Sequence, residues 1–263
     1  MIKNIAVITG ASSGMGREFA LSVEKQGKFD EIWVIARSED KLAELCGELK
    51  SPVKVIAMDL TAADAGARYR ALLDEDKPRV GILINCSGYG KFGAAVDISA
   101  DDNLGMIDLN CRALTELTIL SLPYMTDGSK IVNIASVAAF QPVPYMSVYA
   151  ASKAYVLSFS RALGREVAKR GIRVLAVCPY WTKTAFFERA EDKNADEQAV
   201  KKFNAMYSPA FVVKKTWKTL EKTNRDFVIT GFKARMQTAF VRLLPKKIVM
   251  DIWLKQQKLQ DNK

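Results

Sequence analysis

The chain has 263 residues, 49% of them hydrophobic, and carries 39 Lys and Arg against 29 Asp and Glu, a formal net charge of +10. That length suits one α/β domain with a full core, and no second domain is expected within 1–263. There is no histidine and no CxxC pair, and Cys46, Cys86, Cys111 and Cys178 stand apart. This excludes a histidine-based triad and argues against disulfides and zinc sites, so no metal is expected. No run of 18 apolar residues occurs and the first strand begins close to Met1, so the expectation is a soluble, cytoplasmic protein. The basic charge suits nucleic acid, a membrane surface or an anionic small molecule. Lys and Arg are spread along the chain, however, and no nucleic-acid motif is present, so no nucleic-acid partner is expected.

The first predicted strand is Asn4 to Thr9, with Ile5, Val7 and Ile8 as its apolar body. It runs into Gly10-Ala11-Ser12-Ser13-Gly14-Met15-Gly16 and then an amphipathic helix from Arg17 to Lys25. Strand, glycine turn and helix in that order let the backbone approach a pyrophosphate, whose charge the helix N-terminus stabilises. The spacing is G-x-x-x-G-x-G, not the G-x-G-x-x-G dinucleotide fingerprint. Further strands are predicted at Ile32 to Ala36, Lys54 to Met58, Gly81 to Asn85, Lys130 to Ala135, Arg173 to Cys178 and Asp226 to Ile229. Most are short runs of Val and Ile, as in strands buried on both faces. Helical patterns alternate with them, for example Val156, Phe159, Leu163 and Val167, which predicts a Rossmann-like, doubly wound parallel sheet in an α/β/α sandwich. Ligands bind at the carboxyl ends of such strands, where the glycine turn, Arg37, Asp59, Asn85, Ser136 and Pro179 fall.

Tyr149 and Lys153 are four apart at the start of a helical run, about one turn or roughly 6 Å from each other on one face. An ammonium beside a phenol favours the phenolate, and a phenol so tuned exchanges a proton with an alcohol or ketone oxygen. Asn110 is flanked by Ile107 and Leu114 and points to the core side of its helix, either as a satisfied structural amide or as part of a polar site.

With these residues the chain resembles the short-chain dehydrogenase/reductase family, in its single-domain form of about 250 residues with a YxxxK active site. The likeness runs from residue 4 to about 185 and continues less distinctively to about 231. Thr9, Gly10, Gly14 and Gly16 match the family's glycine turn, Asp59-Leu60 its pair beside the adenine, and Asn85-Cys86-Ser87-Gly88 part of its N-N-A-G element. The family's tetrad falls on Asn110, Ser136, Tyr149 and Lys153. The resemblance implies that Tyr149 exchanges the proton while hydride moves to or from the nicotinamide. It implies that Lys153 holds the ribose and lowers the tyrosine pKa, that Ser136 binds the substrate oxygen, and that Asn110 anchors a relaying water. Ser12, Ser13, Met15, Gly88, Pro179 and Thr184 are expected against the cofactor as well. Two aromatics, Tyr180 and Trp181, follow Pro179 in place of the usual glycine and its neighbour. They form an apolar substrate wall or pack under the next loop.

An NAD-selecting site ends its second strand on an acid about twenty residues past the glycines. Here Ala36 stands there, followed by Arg37 and Ser38, which suit the 2′-phosphate, so NADP(H) is expected over NAD(H). By resemblance, Tyr89, Phe92, Phe140, Pro142, Pro144, Tyr145, Tyr180, Trp181, Phe186 and Phe187 line the substrate side, which points to an apolar ketone or secondary alcohol, steroid-like, fatty-acyl or aryl. A 3-oxoacyl thioester and a silent NADPH-sensing role are the alternatives. Family practice also implies a homo-oligomer paired through helices at about 103 to 121 and 150 to 169. The basic amphipathic segment 234–263 shows Met236, Ala239, Phe240, Leu243 and Leu244 on one face. Packing on its own domain or a neighbouring subunit is expected ahead of peripheral contact with an anionic bilayer.

Overall fold

In the computed structural model, residues 2–190, 199–200, 202–203 and 205–259 are described. Seven apolar runs form strands: β1 (Asn4–Thr9), β2 (Glu31–Ala36), β3 (Val53–Ala57), β4 (Arg79–Asn85), β5 (Lys130–Ile134), β6 (Arg173–Pro179) and β7 (Phe227–Thr230). They pair in parallel in the order β3-β2-β1-β4-β5-β6-β7. The predicted strands are all present, with ends moved by one or two residues. β4 starts at Arg79 rather than Gly81 because the Arg79 N–H already pairs with the Lys3 carbonyl at 2.8 Å.

The helices are α1 (Gly14–Val23), α2 (Glu39–Cys46), α3 (Ala65–Asp76), α4 (Ala100–Ile107), α5 (Leu114–Ser121), α6 (Ser147–Glu166), α7 (Phe186–Ala190), α8 (Pro209–Lys222), α9 (Phe232–Leu243) and α10 (Lys246–Gln257). Alternate strand residues feed opposite layers, as the period of two requires. Ala6, Ile8 and Val34 meet Phe19, Leu42 and Trp217 from α1, α2 and α8. Ile5, Val7 and Trp33 meet Tyr69, Leu117 and Leu163 from α3, α5 and α6.

Two local departures shape the site. Between α4 and α5 the predicted single helix widens into a π-helical turn, Asp108–Ala113, which holds Asn110. Such turns break the i→i−4 ladder and recur at functional sites. Thr9, buried at the end of β1, accepts from the N–H groups of Cys86 and Ser87, both at 3.0 Å, and so ties the glycine turn to the end of β4.

The C-terminal helices pack on the domain through Ala234, Thr238 and Val241 of α9 and Val249, Trp253 and Gln257 of α10. Trp253 Nε1 donates to the Pro144 carbonyl at 3.0 Å. Gln257 accepts from the Lys202 N–H at 2.9 Å and donates to its carbonyl at 3.3 Å. The apolar face read from the sequence is not the packing face: Met236 and Phe240 are each 59% exposed and Leu243 84%. Residues 260–263 of the segment lie outside the described residues. Among the described residues no helix is long and apolar enough to cross a membrane.

Candidate active site

At the carboxyl edge of the sheet, Gly10 (φ +66°) and Gly14 (φ +54°) take the left-handed backbone that side chains resist. A Cβ on Gly10 would stand 3.0 Å from the Ser87 nitrogen, and one on Gly16 would overlap the Gly10 carbonyl. The turn delivers the chain to the N-terminus of α1, whose N-cap Ser13 makes no side-chain cap bond. A cleft of about 720 Å³ runs past it, with Ser12, Ser13, Met15, Gly88 and Thr184 on its walls and Arg37, Ser38, Asp59 and Leu60 at one end. Asp59 is held by the Thr61 N–H at 2.9 Å and hydroxyl at 2.7 Å and lies 3.9 Å from the Arg37 guanidinium. Lys41, in the first turn of α2, joins this end; no local signal in the sequence marks it, because Arg37 lies outside the helix that carries it. The glycine backbone, the helix N-terminus and the basic end together fit a nicotinamide dinucleotide.

Asn85 ends β4. Its amide nitrogen donates to Thr118 Oγ1 and Asn133 Oδ1, both at 2.9 Å, and Asn133 in turn donates to Ser160 Oγ at 2.9 Å. It is 2% exposed and lies off the cleft wall, in a polar chain that links β4 and β5 to α5 and α6.

Ser136, Tyr149 and Lys153 line a second pocket where it meets this cleft, and Asn110 lies behind Gly88, which borders both. Ser136 caps a 3-10 turn (Val137–Phe140), its hydroxyl accepting from the Ala138 N–H at 3.1 Å, and it stands close enough to the Tyr149 phenol to pull its pKa down. Tyr149 sits in the first turn of α6, with its ring 5.4 Å from that of Phe186. Lys153 is buried, donates to the Ile134 carbonyl at 2.8 Å, and places Nζ 5.8 Å from the Tyr149 ring centroid.

The electrostatics differ from the sequence expectation. Burial pushes the Tyr149 phenol up to about 12, against a smaller downward pull from Ser136. Burial also brings Lys153 down to about 8, opposed by the thiols of Cys86, Cys111 and Cys178 around it. Desolvation is thus the largest influence on both groups, the lysine is not among the causes of the phenol's shift, and the tyrosine rests protonated.

Asn110 is fully buried, and both its amide hydrogens are engaged: Nδ2 donates to the Tyr89 carbonyl at 2.8 Å and to Ser152 Oγ at 3.0 Å. Oδ1 accepts from the Tyr89 N–H at 3.0 Å. The side chain therefore clamps the loop after β4 against α6. Gly88 passes between Asn110 and Lys153, where a Cβ would lie 2.9 Å from Oδ1 and 3.3 Å from Nζ.

The second pocket holds Tyr149, Ser136 and Lys153 among its lining, with Val143, Met146, Tyr180, Trp181, Phe186 and Phe187 as its apolar walls. Tyr180 and Trp181 serve both uses left open by the sequence. They line the pocket, while Tyr180 donates to Gln237 Oε1 at 2.9 Å and Trp181 packs edge-on to Phe203 at 5.0 Å. Pro179 and Thr184 border it too. Several expected lining residues face elsewhere. Phe92 stands behind the aromatic wall, 6.1 Å from Trp181 and from Phe186. Phe140 packs on Phe227, and Tyr89 lines the dinucleotide cleft with its hydroxyl on the Asp102 carbonyl at 3.0 Å. Pro142, Pro144 and Tyr145 are not on the pocket wall, their places being taken by Val143 and Met146. Trp253, Gln237 and Gln256 from the C-terminal helices also reach the pocket; no local signal marked them, because that placement depends on how the tail folds back.

A glycine-cradled cleft that meets a phenol, a hydroxyl and an ammonium defines a dinucleotide-dependent oxidoreductase. Residues 4–195 match the short chain dehydrogenase family, and the chain belongs to it, an oxidoreductase acting on CH–OH or C=O groups. It is similar to an uncharacterized oxidoreductase of Staphylococcus epidermidis, 30% identical over 189 residues, 71% of this chain and 81% of that protein. It is 35% identical over 209 residues to the very-long-chain 3-oxoacyl-CoA reductase of Bos taurus, covering 74% of this chain and 66% of that enzyme. A short-chain dehydrogenase from Sphingobium yanoikuyae, solved in complex with NADPH, superposes with a TM-score of 0.73 at 31% identity, over 90% of this chain and 92% of that one.

Proposed function

We propose that this protein is an NADP(H)-dependent reductase of an apolar ketone, with the reverse oxidation of a secondary alcohol available. The observation that carries the reading is the placement of Tyr149 and Ser136 in an aromatic-walled pocket that opens into a cleft ending in Arg37, Ser38 and Lys41. When bound, the nicotinamide supplies a hydride to the carbonyl carbon or accepts one from the carbinol. Ser136 orients the substrate oxygen, and Tyr149, held protonated, gives its proton to that oxygen as charge develops there. Lys153 carries the positive charge that stabilises the resulting phenolate, and Asn110 fixes the loop that backs it. The likeness to a very-long-chain 3-oxoacyl-CoA reductase favours a fatty-acyl chain as the apolar part, with a 3-oxoacyl thioester as the second reading.

The test is NADPH oxidation followed by absorbance across ketones and 3-oxoacyl thioesters, with wild type and Tyr149→Phe. Turnover of at least one class is expected in the wild type. The variant should lose it by about a thousandfold, in the range of general acid catalysis, with NADPH affinity within a few-fold. NADPH binding with no turnover on any carbonyl would instead favour the silent sensor.

We also infer a homo-oligomer. Leu104 and Ile107 of α4, Ile119 of α5 and Tyr155 of α6 are exposed large apolar side chains on the helices that hold the tetrad. Pairing through them would cover that surface.

A further inference from the structure

The C-terminal helices present a surface that the reductase reading leaves unused. On α9, Phe232, Met236, Phe240 and Leu243 recur at i, i+4, i+8 and i+11 and form one stripe. At 3.6 residues per turn, the stripe lies about 170° around the helix from Ala234, Thr238 and Val241, the face packed on the domain. All four are exposed, as are Ile248 and Ile252 one turn apart on α10. Single apolar residues at a surface are ordinary; four on one face of a twelve-residue helix are not.

Charge says what covers it. Between residues 231 and 259 there are seven Lys and Arg and one acid, Asp251. By the same helical geometry Lys233 and Arg235 flank the α9 stripe on opposite sides. Two copies joined through this face would bring like charges together, which disfavours self-association. An anionic lipid surface satisfies both the apolar stripe and the basic margin. The same helices supply Gln237, Trp253 and Gln256 to the substrate pocket.

We propose that α9 and α10 seat this protein on an anionic bilayer surface, with the stripe at the acyl boundary and the basic side chains among the headgroups. The pocket rim formed by Gln237 and Gln256 then lies beside the lipid, so that an apolar substrate enters from it. The seating itself does not depend on which carbonyl is reduced.

The test is flotation of the full chain with vesicles of phosphatidylcholine alone or mixed with phosphatidylglycerol. Binding is expected to the mixed vesicles, weak to the neutral ones, and weakened by salt. The double variant Met236→Ser with Phe240→Ser should lower partitioning by at least about tenfold, and Lys233→Gln with Lys247→Gln by about tenfold on the anionic vesicles only. NADPH affinity and turnover of a water-soluble ketone should be unchanged in both, which separates failure of this proposal from failure of the reductase reading. Equal binding of the serine variant, or no binding of wild type to either vesicle, overturns it. A subunit contact seen by light scattering in wild type and lost in the serine variant would assign the stripe to a second copy and also overturn it.

Discussion

Replacing Arg37 by alanine isolates cofactor choice from every other property of the site. Arg37 follows β2, whose last residue, Ala36, offers no acid to a ribose hydroxyl, and its side chain is 63% exposed. A guanidinium that forks onto a 2′-phosphate makes charged hydrogen bonds worth about 1.5 to 3 kcal/mol, so NADPH should bind roughly 10- to 150-fold more weakly in the variant. NADH has no such phosphate. The Arg37 contact that the variant breaks in either case is the one to Asp59, at 3.9 Å between two well-exposed side chains, and such a pair is worth at most about 1 kcal/mol. Asp59 also keeps its two bonds from Thr61. The NADH loss should therefore stay under about fivefold. Titration of each cofactor against intrinsic tryptophan fluorescence measures both constants without turnover. Equal losses for NADPH and NADH, or a wild-type preference for NADH, would refute the reasoning. Lys41→Ala should move NADPH in the same direction by less, because an ammonium offers a point charge rather than a fork.

Reduction should be flat with pH up to about 8 and fall above it. The protonated form of Lys153 is the active one and its pKa is about 8, while the phenol, at about 12, stays protonated throughout. A kcat/KM for ketone reduction that rises through pH 8 would contradict this assignment. Gly90→Ala would put a Cβ 2.7 Å from Tyr149 Cδ2 and 2.9 Å from Phe186 Cζ, so it should displace the phenol and lower kcat with little change in melting temperature or NADPH affinity. Unaltered kcat would mean that the loop yields instead of the ring. Leu104→Glu, at a side chain 63% exposed on α4, should shift the assembly toward monomer by light scattering; a wild type already monomeric at micromolar concentration removes the oligomer reading.

The sheet was legible because most of its strands are short Val and Ile runs, the inner ones buried on both faces, and such runs need no tertiary information to be seen. The glycine turn and the Tyr149, Lys153 pair were legible because each depends on neighbours within one helical turn. Three features were hidden. The sense of the pKa shifts at Tyr149 and Lys153 was one, since spacing reveals that the two lie on one face but not how far burial desolvates each. The orientation of Asn85 was another: its partners Thr118 and Asn133 come from other elements, and only the folded sheet brings them near. The third was the pocket wall itself. Aromatic residues in the right segments pointed to it, but Phe92 and Phe140 proved to support other packing while Val143 and Met146 took the surface.

The anchoring of α10 divides this molecule into parts that can change at different rates. The cleft and the tetrad rest on the sheet and on α1, α4, α5 and α6, whereas one side of the substrate pocket rests on Trp253 and Gln257, held through bonds to the Pro144 carbonyl and the Lys202 backbone. Mutations in the tail can therefore reshape what enters without disturbing Tyr149 or the glycine-lined cleft. Selection for a new carbonyl compound would find its cheapest route there, and descendants of this chain should diverge first in those last two helices.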